Sequence, residues 1–437
     1  MTSAAGQSTY QVNRASNSAP LGQLAGIIAT ILGSFLVRLA GAGTGVMLGI
    51  FLARLHRVGV PGTSAMAVGL LMGAFYLSEL IGAPICGFLV DRRGVRFFLL
   101  AGPILGVLAE VLFAGPVHLL GFTAARSLQG LTTAFTIPAA LAFLSELTEV
   151  KPSAASDHGR GLAMGWFEVG SIGGLAAGNV VGGYLWQDLD RAGFLPLAIL
   201  YAVAAVLFVV VKPVTRRSTG RSLAESLAGL RHALDLVPCW LAVNAAAGLW
   251  FGHAAYQLSG AHPRLHQQLT AGFSGSTIGI IFGIYALLFA VGTIGWGALL
   301  GFVPLTRAMR IGSIGLLFAA ISLLGINHAP SLHGNTFWIF VLLGVLALGA
   351  ETAFTPAALT LLAARSDGAV EGRGAVMGVY SMLLGGGQLL GVLIGSVVAG
   401  AHGVDGMIAA TLVLGVIGLL TIPADNRSTR VAMVGIG

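Results

Sequence analysis

Residues 159–183 read GRGLAMGWFEVGSIGGLAAGNVVGG, and residues 372–396 read GRGAVMGVYSMLLGGGQLLGVLIGS. Set Gly159 on Gly372 and the two share GRG, Met164-Gly165 with Met377-Gly378, and Gly173, Gly174, Gly178 and Gly182 with Gly386, Gly387, Gly391 and Gly395. Upstream, GLTTAFTIPAAL (130–141) resembles GAETAFTPAAL (349–359). Two neighbouring apolar segments thus recur together and in the same order in each half. That is the pattern of a duplicated helical membrane protein.

Composition agrees. With 56% hydrophobic and 9% charged residues and a mean hydropathy of +0.89, the chain cannot present a water-soluble surface. Its 65 glycines would weaken soluble helices, but in lipid small residues let helix backbones touch. Cys86 and Cys239 have no ligand-like neighbours, so free thiols and no metal site are expected.

At about 20 apolar residues per crossing, twelve segments are expected, centred near Leu36, Met72, Leu105, Leu131, Ser171, Ala202, Ala247, Ala286, Leu316, Val345, Leu384 and Leu414. With the N-terminus cytoplasmic, only Arg54, Arg57, Arg191 and Arg264 fall in outer segments and Arg38 and Arg126 within spans; every other Lys and Arg is on the inner side. The positive-inside rule therefore puts both termini in the cytoplasm, in a multi-pass cell-membrane protein. A net charge of +7 on that face suits anionic membrane lipids and asks for no nucleic acid.

The expected organisation is a disordered tail (1–20), a six-helix bundle (21–211), a linker with an amphipathic helix (212–236), a second six-helix bundle (237–424) and a short cytoplasmic tail (425–437). Trp186, Trp240 and Trp338 fall near helix ends as expected interfacial anchors, as does His253.

Three motifs then bring a family into view. The stretch GFLVDRRGVRFFLL (87–100) matches the loop signature G-x-L-a-D-R-x-G-R-R of the major facilitator superfamily at Gly87, Leu89, Asp91, Arg92, Gly94 and Arg96, with Val95 departing from it. Arg126, Gln129 and Gly130 match its R-x-x-Q-G signature. From Gly174, GLAAGNVVGG resembles the signature of the superfamily's antiporters, with Asn179 where Pro is usual and with packing glycines Gly174, Gly178, Gly182 and Gly183, expected against the eighth helix. The resemblance spans the chain. It implies two pseudo-symmetric six-helix bundles around a cavity open alternately to each side, lined by the first, fourth, seventh and tenth helices.

An Arg at mid-membrane costs at least about 2.5–3.5 kcal/mol and needs a partner. For Arg126, whose counterpart in related antiporters has a part in proton transfer, either that role or an ion pair with Glu110 is open. Arg38 and Glu79 lie near mid-depth, either as a structural pair or as cavity groups. Glu168 and Asn179, eleven residues apart, share a helix face, and Glu351 replaces Thr132 in the second half, so each half keeps one acid in the repeat. Without a phosphate-binding loop, nucleophile elbow or metal-ligand cluster, the chain reads as neither an enzyme nor a cofactor protein. The expected function is proton-coupled export of a lipophilic or amphiphilic small molecule, by a monomer, with Glu168, Glu351, Arg126, Arg38, Glu79 and Asn179 in the coupling cavity. Alternatives are a lipid or lysolipid flippase, a metabolite importer by symport or uniport, and a non-transporting membrane sensor.

Overall fold

In hydrocarbon the backbone must satisfy its own hydrogen bonds, and helices do that within one segment. The computed structural model describes residues 19–115, 118–147, 154–211, 234–262, 266–366 and 372–424, and among them regular structure is helical throughout. The helices are α1 (Ala19–Arg57), α2 (Ala65–Arg93), α3 (Val95–Ala114), α4 (Leu119–Leu147), α5 (Ala154–Leu189), α6 (Phe194–Val209), α7 (Val237–Leu258), α8 (Gly275–Leu299), α9 (Leu305–Asn327), α10 (Asn335–Glu351), α11 (Phe354–Ser366) and α12 (Gly372–Leu420). The linker helix expected within 212–236 and the C-terminal tail lie outside the described residues, apart from 234–236. The N-terminal boundary shifts slightly. Helix α1 already includes Ala19 and Pro20, because a proline in the first turn gives up an N–H that has no partner anyway.

Nine stretches among the described residues are long and apolar enough to cross a membrane. Met164–Val209, of 46 residues, and Met382–Leu420, of 39, are each about twice what one crossing needs. The first turns back through a short 3-10 segment at Asp190–Gly193, and α12 breaks at Gly403, whose φ of 62° favours glycine. Helices α10 and α11 are separated by Thr352 and Ala353. Pro356 accounts for that break, since its ring would clash with the carbonyl four residues back, at Thr352.

The duplicated sequence is duplicated packing. A side chain at Gly174, Gly178 or Gly182 would strike the α1 backbone at Phe35, Leu39 and Gly43; one at Gly387 or Gly391 would strike α7 at Leu241 and Ala245. Both ladders therefore bind the first helix of their own half, not the eighth helix as expected. Gly183 alone turns to α8, where Gly275 and Gly279 meet it. Even the capping repeats: Ser64 caps α2 by accepting from Ala67 N at 3.4 Å, and Ser274 caps α8 by accepting from Thr277 N at 3.2 Å. At Gly178, backbone faces backbone and neither can yield. Gly178→Val is therefore expected to cost about 3 kcal/mol, measured as a lower thermal midpoint and loss of monodisperse protein in detergent.

Each half has its own apolar core. Phe98, Phe113, Phe194 and Phe208 anchor the one of α1–α6, which also takes in Tyr256, Ala261 and Val392 of the second half; Trp240, Met309, Phe354 and Leu361 anchor the other. Trp240 is 0% exposed, so it is a core residue and not the expected interfacial anchor. A third cluster crosses between halves, with Val46 and Ile50 of α1 against Ala254, Ala255 and Leu258 of α7 and Ile278 and Phe282 of α8. It lies toward the end of the molecule where α1 turns into α2.

Candidate functional site

The halves are latched at that α1–α2 end. Arg57 donates to the Ser259 carbonyl, the Tyr256 hydroxyl to the Thr63 carbonyl at 2.9 Å, and the rings of His56 and His262 stand 4.3 Å apart. Deeper, Gly69 and Gly73 of α2 receive Ser396, Val392 and Leu389 of α12, while Gly183 and Val180 of α5 receive Gly279 and Gly283 of α8. Beyond these crossings α5 leaves α8: Val169 is exposed and a Cβ at Gly165 would touch nothing. Among the described residues, α5 and α8 thus part toward the α2–α3 end.

Helix geometry says which polar groups face the space between the halves. Around α5, the ladder glycines mark the α1 side, and Ala176, Val180 and Gly183 mark the α8 side. Of the two arcs left, one carries exposed Trp166 and Tyr184 and faces outward; Glu168 lies about 160° from Trp166, on the inner arc with Ser171 and Asn179. Glu168 is accessible there, while Asn179 is buried higher up where α5 crosses α8. On α2, exposed Leu77 and Ile81 face outward and Glu79 is about 160° from each. Arg38 of α1 donates to Ser171 Oγ at 3.2 Å, and its charge attracts both Glu79 and Glu168. Arg38 and Glu79 form no closed ion pair; the guanidinium bonds Ser171, with both carboxylates within reach of its charge.

Glu351 lies elsewhere. It ends α10, its backbone is pressed against Gly312 and Gly315 of α9, and its carboxyl is inside the second half with Oε2 lacking a hydrogen-bond partner. The structure does not bring it to Glu168. His253 is also buried, not interfacial, bonding through Nε2 to the Val392 carbonyl at 2.9 Å.

Arg126 is 6% exposed, and its partners are not those expected. It donates to Gln129 Oε1 and Met72 Sδ, each at 2.7 Å, and covers the Phe75 ring at 5.0 Å. Gln129 Nε2 in turn donates to Glu110 Oε1 at 2.7 Å, and Thr44 Oγ1 lies 2.5 Å from the same oxygen. The pair is thus bridged by an amide. Thr44 is the member that sequence reasoning passed over, since a threonine on α1 carries no signal that α3 and α4 converge on it. In the loop motif, Gly94 takes a φ of 82° between α2 and α3, and Arg96 reaches the Val209 carbonyl at 3.4 Å. Gly87 is open, and the side chains of Asp91 and Arg92 lie outside the described residues.

Comparisons with known proteins agree with this arrangement. The profile described as Major Facilitator Superfamily matches residues 30–334 and 266–431. The chain is 26% identical over 409 residues to the multidrug resistance protein MdtG of Salmonella paratyphi A, covering 90% of this chain and 93% of that one. It is 30% identical over 148 residues to multidrug resistance protein 2 of Bacillus subtilis, about a third of each chain (34% and 35%). Among solved structures, a point mutant of the nucleoside transporter NupG superposes with a TM-score of 0.68 at 12% identity, covering 93% of this chain and 99% of that one. A D-xylose-proton symporter gives 0.64 at 16%, covering 91% and 96%. With one profile spanning both halves of a duplicated helical core, this membrane transporter belongs to the Major Facilitator Superfamily.

Proposed function

We propose that the chain exports lipophilic or amphiphilic small molecules across the cell membrane in exchange for protons. The observation that carries this is the inner face itself, where Arg38 bonds Ser171 with Glu168 and Glu79 within reach of its charge, between halves whose described crossings run from the α1–α2 end to Leu80 and Gly385 at mid-length. Such a face holds cargo by apolar contact and charge, while a carboxylate that gains or loses a proton changes what the face attracts. The multidrug names of two sequence relatives favour export over import.

Twelve crossings follow if Met164–Val209 and Met382–Leu420 each count twice and α7 is a crossing of its own. The bundles would be 21–211 and 237–424, joined by the linker 212–236, with both termini cytoplasmic by the Lys and Arg distribution. The α2–α3 end is then the inner end, and the conformation is inward-facing. In this reading Glu351 is the coupling acid of the second half, Asn179 sits at the upper limit of the cavity, and Asp91, Arg92 and Arg96 with Gly87 and Gly94 form the inner gate. The chain acts as a monomer and transporter, not an enzyme.

The test is flux in proteoliposomes under an imposed pH gradient, with tetraphenylphosphonium, a neutral dye and a headgroup-labelled lysolipid. Gradient-driven movement of the first two supports the proposal. Movement of the lysolipid alone, indifferent to the gradient, would make the protein a flippase instead.

A further inference from the structure

Thr44 Oγ1 carries one proton, yet it sits 2.8 Å from the Ala40 carbonyl and 2.5 Å from Glu110 Oε1. The hydroxyl can donate to the Ala40 carbonyl or to Glu110 Oε1 but not fully to both, so one of the two contacts lacks a donor unless the carboxyl itself carries a proton. The surroundings agree. Glu110 is 0% exposed, its Oε2 has no partner, and Arg126 is spent on an amide oxygen, a thioether and an aromatic face while its own Nε has no partner. A guanidinium so close would not be left on weak acceptors beside an ionised carboxylate.

Resting on the reading above, that protons drive the transport, we infer that Glu110 is a proton-carrying carboxyl, and that its ionisation draws Arg126 off Met72 and Phe75 of α2 and onto α3. One O–H bond breaks, the proton passes to water, and the carboxylate is neutralised by the guanidinium. Met72 and Phe75 lie within two turns of Gly69 and Gly73, which hold α12 of the other half. Release of Arg126 therefore loosens α2 where it latches the two halves, and the proton step becomes a conformational step. The ionisable groups facing Glu110 and Arg126 are Tyr201 of α6 and Tyr76 of α2; behind them Arg38 of α1 acts on Tyr201 and Glu79 of α2 on Tyr76, while the neutral Thr44 of α1 touches Glu110 itself.

Spin labels at exposed Leu70 and Val397, in full-length protein with Cys86 and Cys239 replaced by alanine, read the α2–α12 distance across a pH titration. The distance is expected to widen as pH rises, and Glu110→Gln is expected to hold it at the low-pH value. Glu110→Asp should restore the transition. The same Gln variant should lose about tenfold or more of gradient-driven tetraphenylphosphonium movement. A distance that follows pH alike with and without Glu110, or follows it in neither, overturns the inference. Should Glu110→Gln not fold, Gln129→Leu, which keeps the acid and cuts its bridge to Arg126, is expected to move the midpoint; an unmoved midpoint refutes the switch. A distance that depends on Glu110 in a protein without gradient-driven flux would sink the reading of proton exchange and leave the switch standing.

Discussion

Glutamine at position 168 or at position 351 is expected to abolish gradient-driven export while leaving folded, membrane-inserted protein. Both changes keep side-chain size, exchange one acceptor oxygen for an amide donor and remove the capacity to ionise, so packing is little disturbed. The two should fail differently. Glu168 is accessible on the inner face within reach of the Arg38 charge, so its loss leaves that charge balanced by Glu79 alone on the proposed cargo face. Glu168→Gln should weaken a lipophilic cation by about tenfold and affect a neutral dye far less, which is about what one unit charge near a surface supplies. Glu351 is half-buried in the second half beside the α10–α11 break, with Oε2 enclosed and unpartnered. Glu351→Gln should therefore leave equilibrium binding near the wild-type value and remove the response to the gradient. Equilibrium binding of both probes, beside flux in the same proteoliposomes, separates the cases. Normal flux in both variants would take these acids out of the mechanism.

What could be read before any coordinates was whatever depends on periodicity along one chain. The glycine ladders repeat at helical spacing, so that they pack was legible; which helix they pack on was not, because a face on α5 points equally well to any neighbour. The inner face of α5 came from the same arithmetic, and Glu168 and Asn179 do share an arc. Depth was harder. Trp240 and His253 look like residues for a membrane boundary, yet both are enclosed between helices whose partners lie far off in sequence. The Arg126 cluster shows the limit most plainly: its members come from α1, α2, α3 and α4, and Met72 has no polarity to advertise it as an acceptor for a guanidinium. Nor does charge counting distinguish an acid that pairs with Arg126 from one reached through Gln129.

A bulky side chain at the glycine crossings between halves should arrest transport with the α1–α2 end unable to close. Here the duplication makes its most specific statement. Setting residue 159 on residue 372 carries Gly183 onto Ser396, and setting Ser64 on Ser274 carries Gly69 onto Gly279; the structure pairs Gly183 with Gly279 and Ser396 with Gly69. The latch is thus one contact used twice. At Gly183 and Gly279 backbone meets backbone, and at Gly69 the neighbour is the Ser396 side chain over the Val392 carbonyl. Gly279→Leu should strain the closed latch by about 1–3 kcal/mol and lower its population about 5–150-fold. The hydroxyl bond from Tyr256 to Thr63, worth about 1 kcal/mol, cannot offset that. Because each half keeps its own core, the variant should remain folded and become permanently reactive to an outside thiol reagent at a cysteine placed in the α1–α8 contact, at Val46. Gly69→Leu should do the same from the opposite side of the pseudo-twofold axis, more weakly, since a serine side chain yields more readily than backbone. Equal flux in wild type and in the Gly279 variant would mean that this crossing never needs to close, and alternating access could not then run through it.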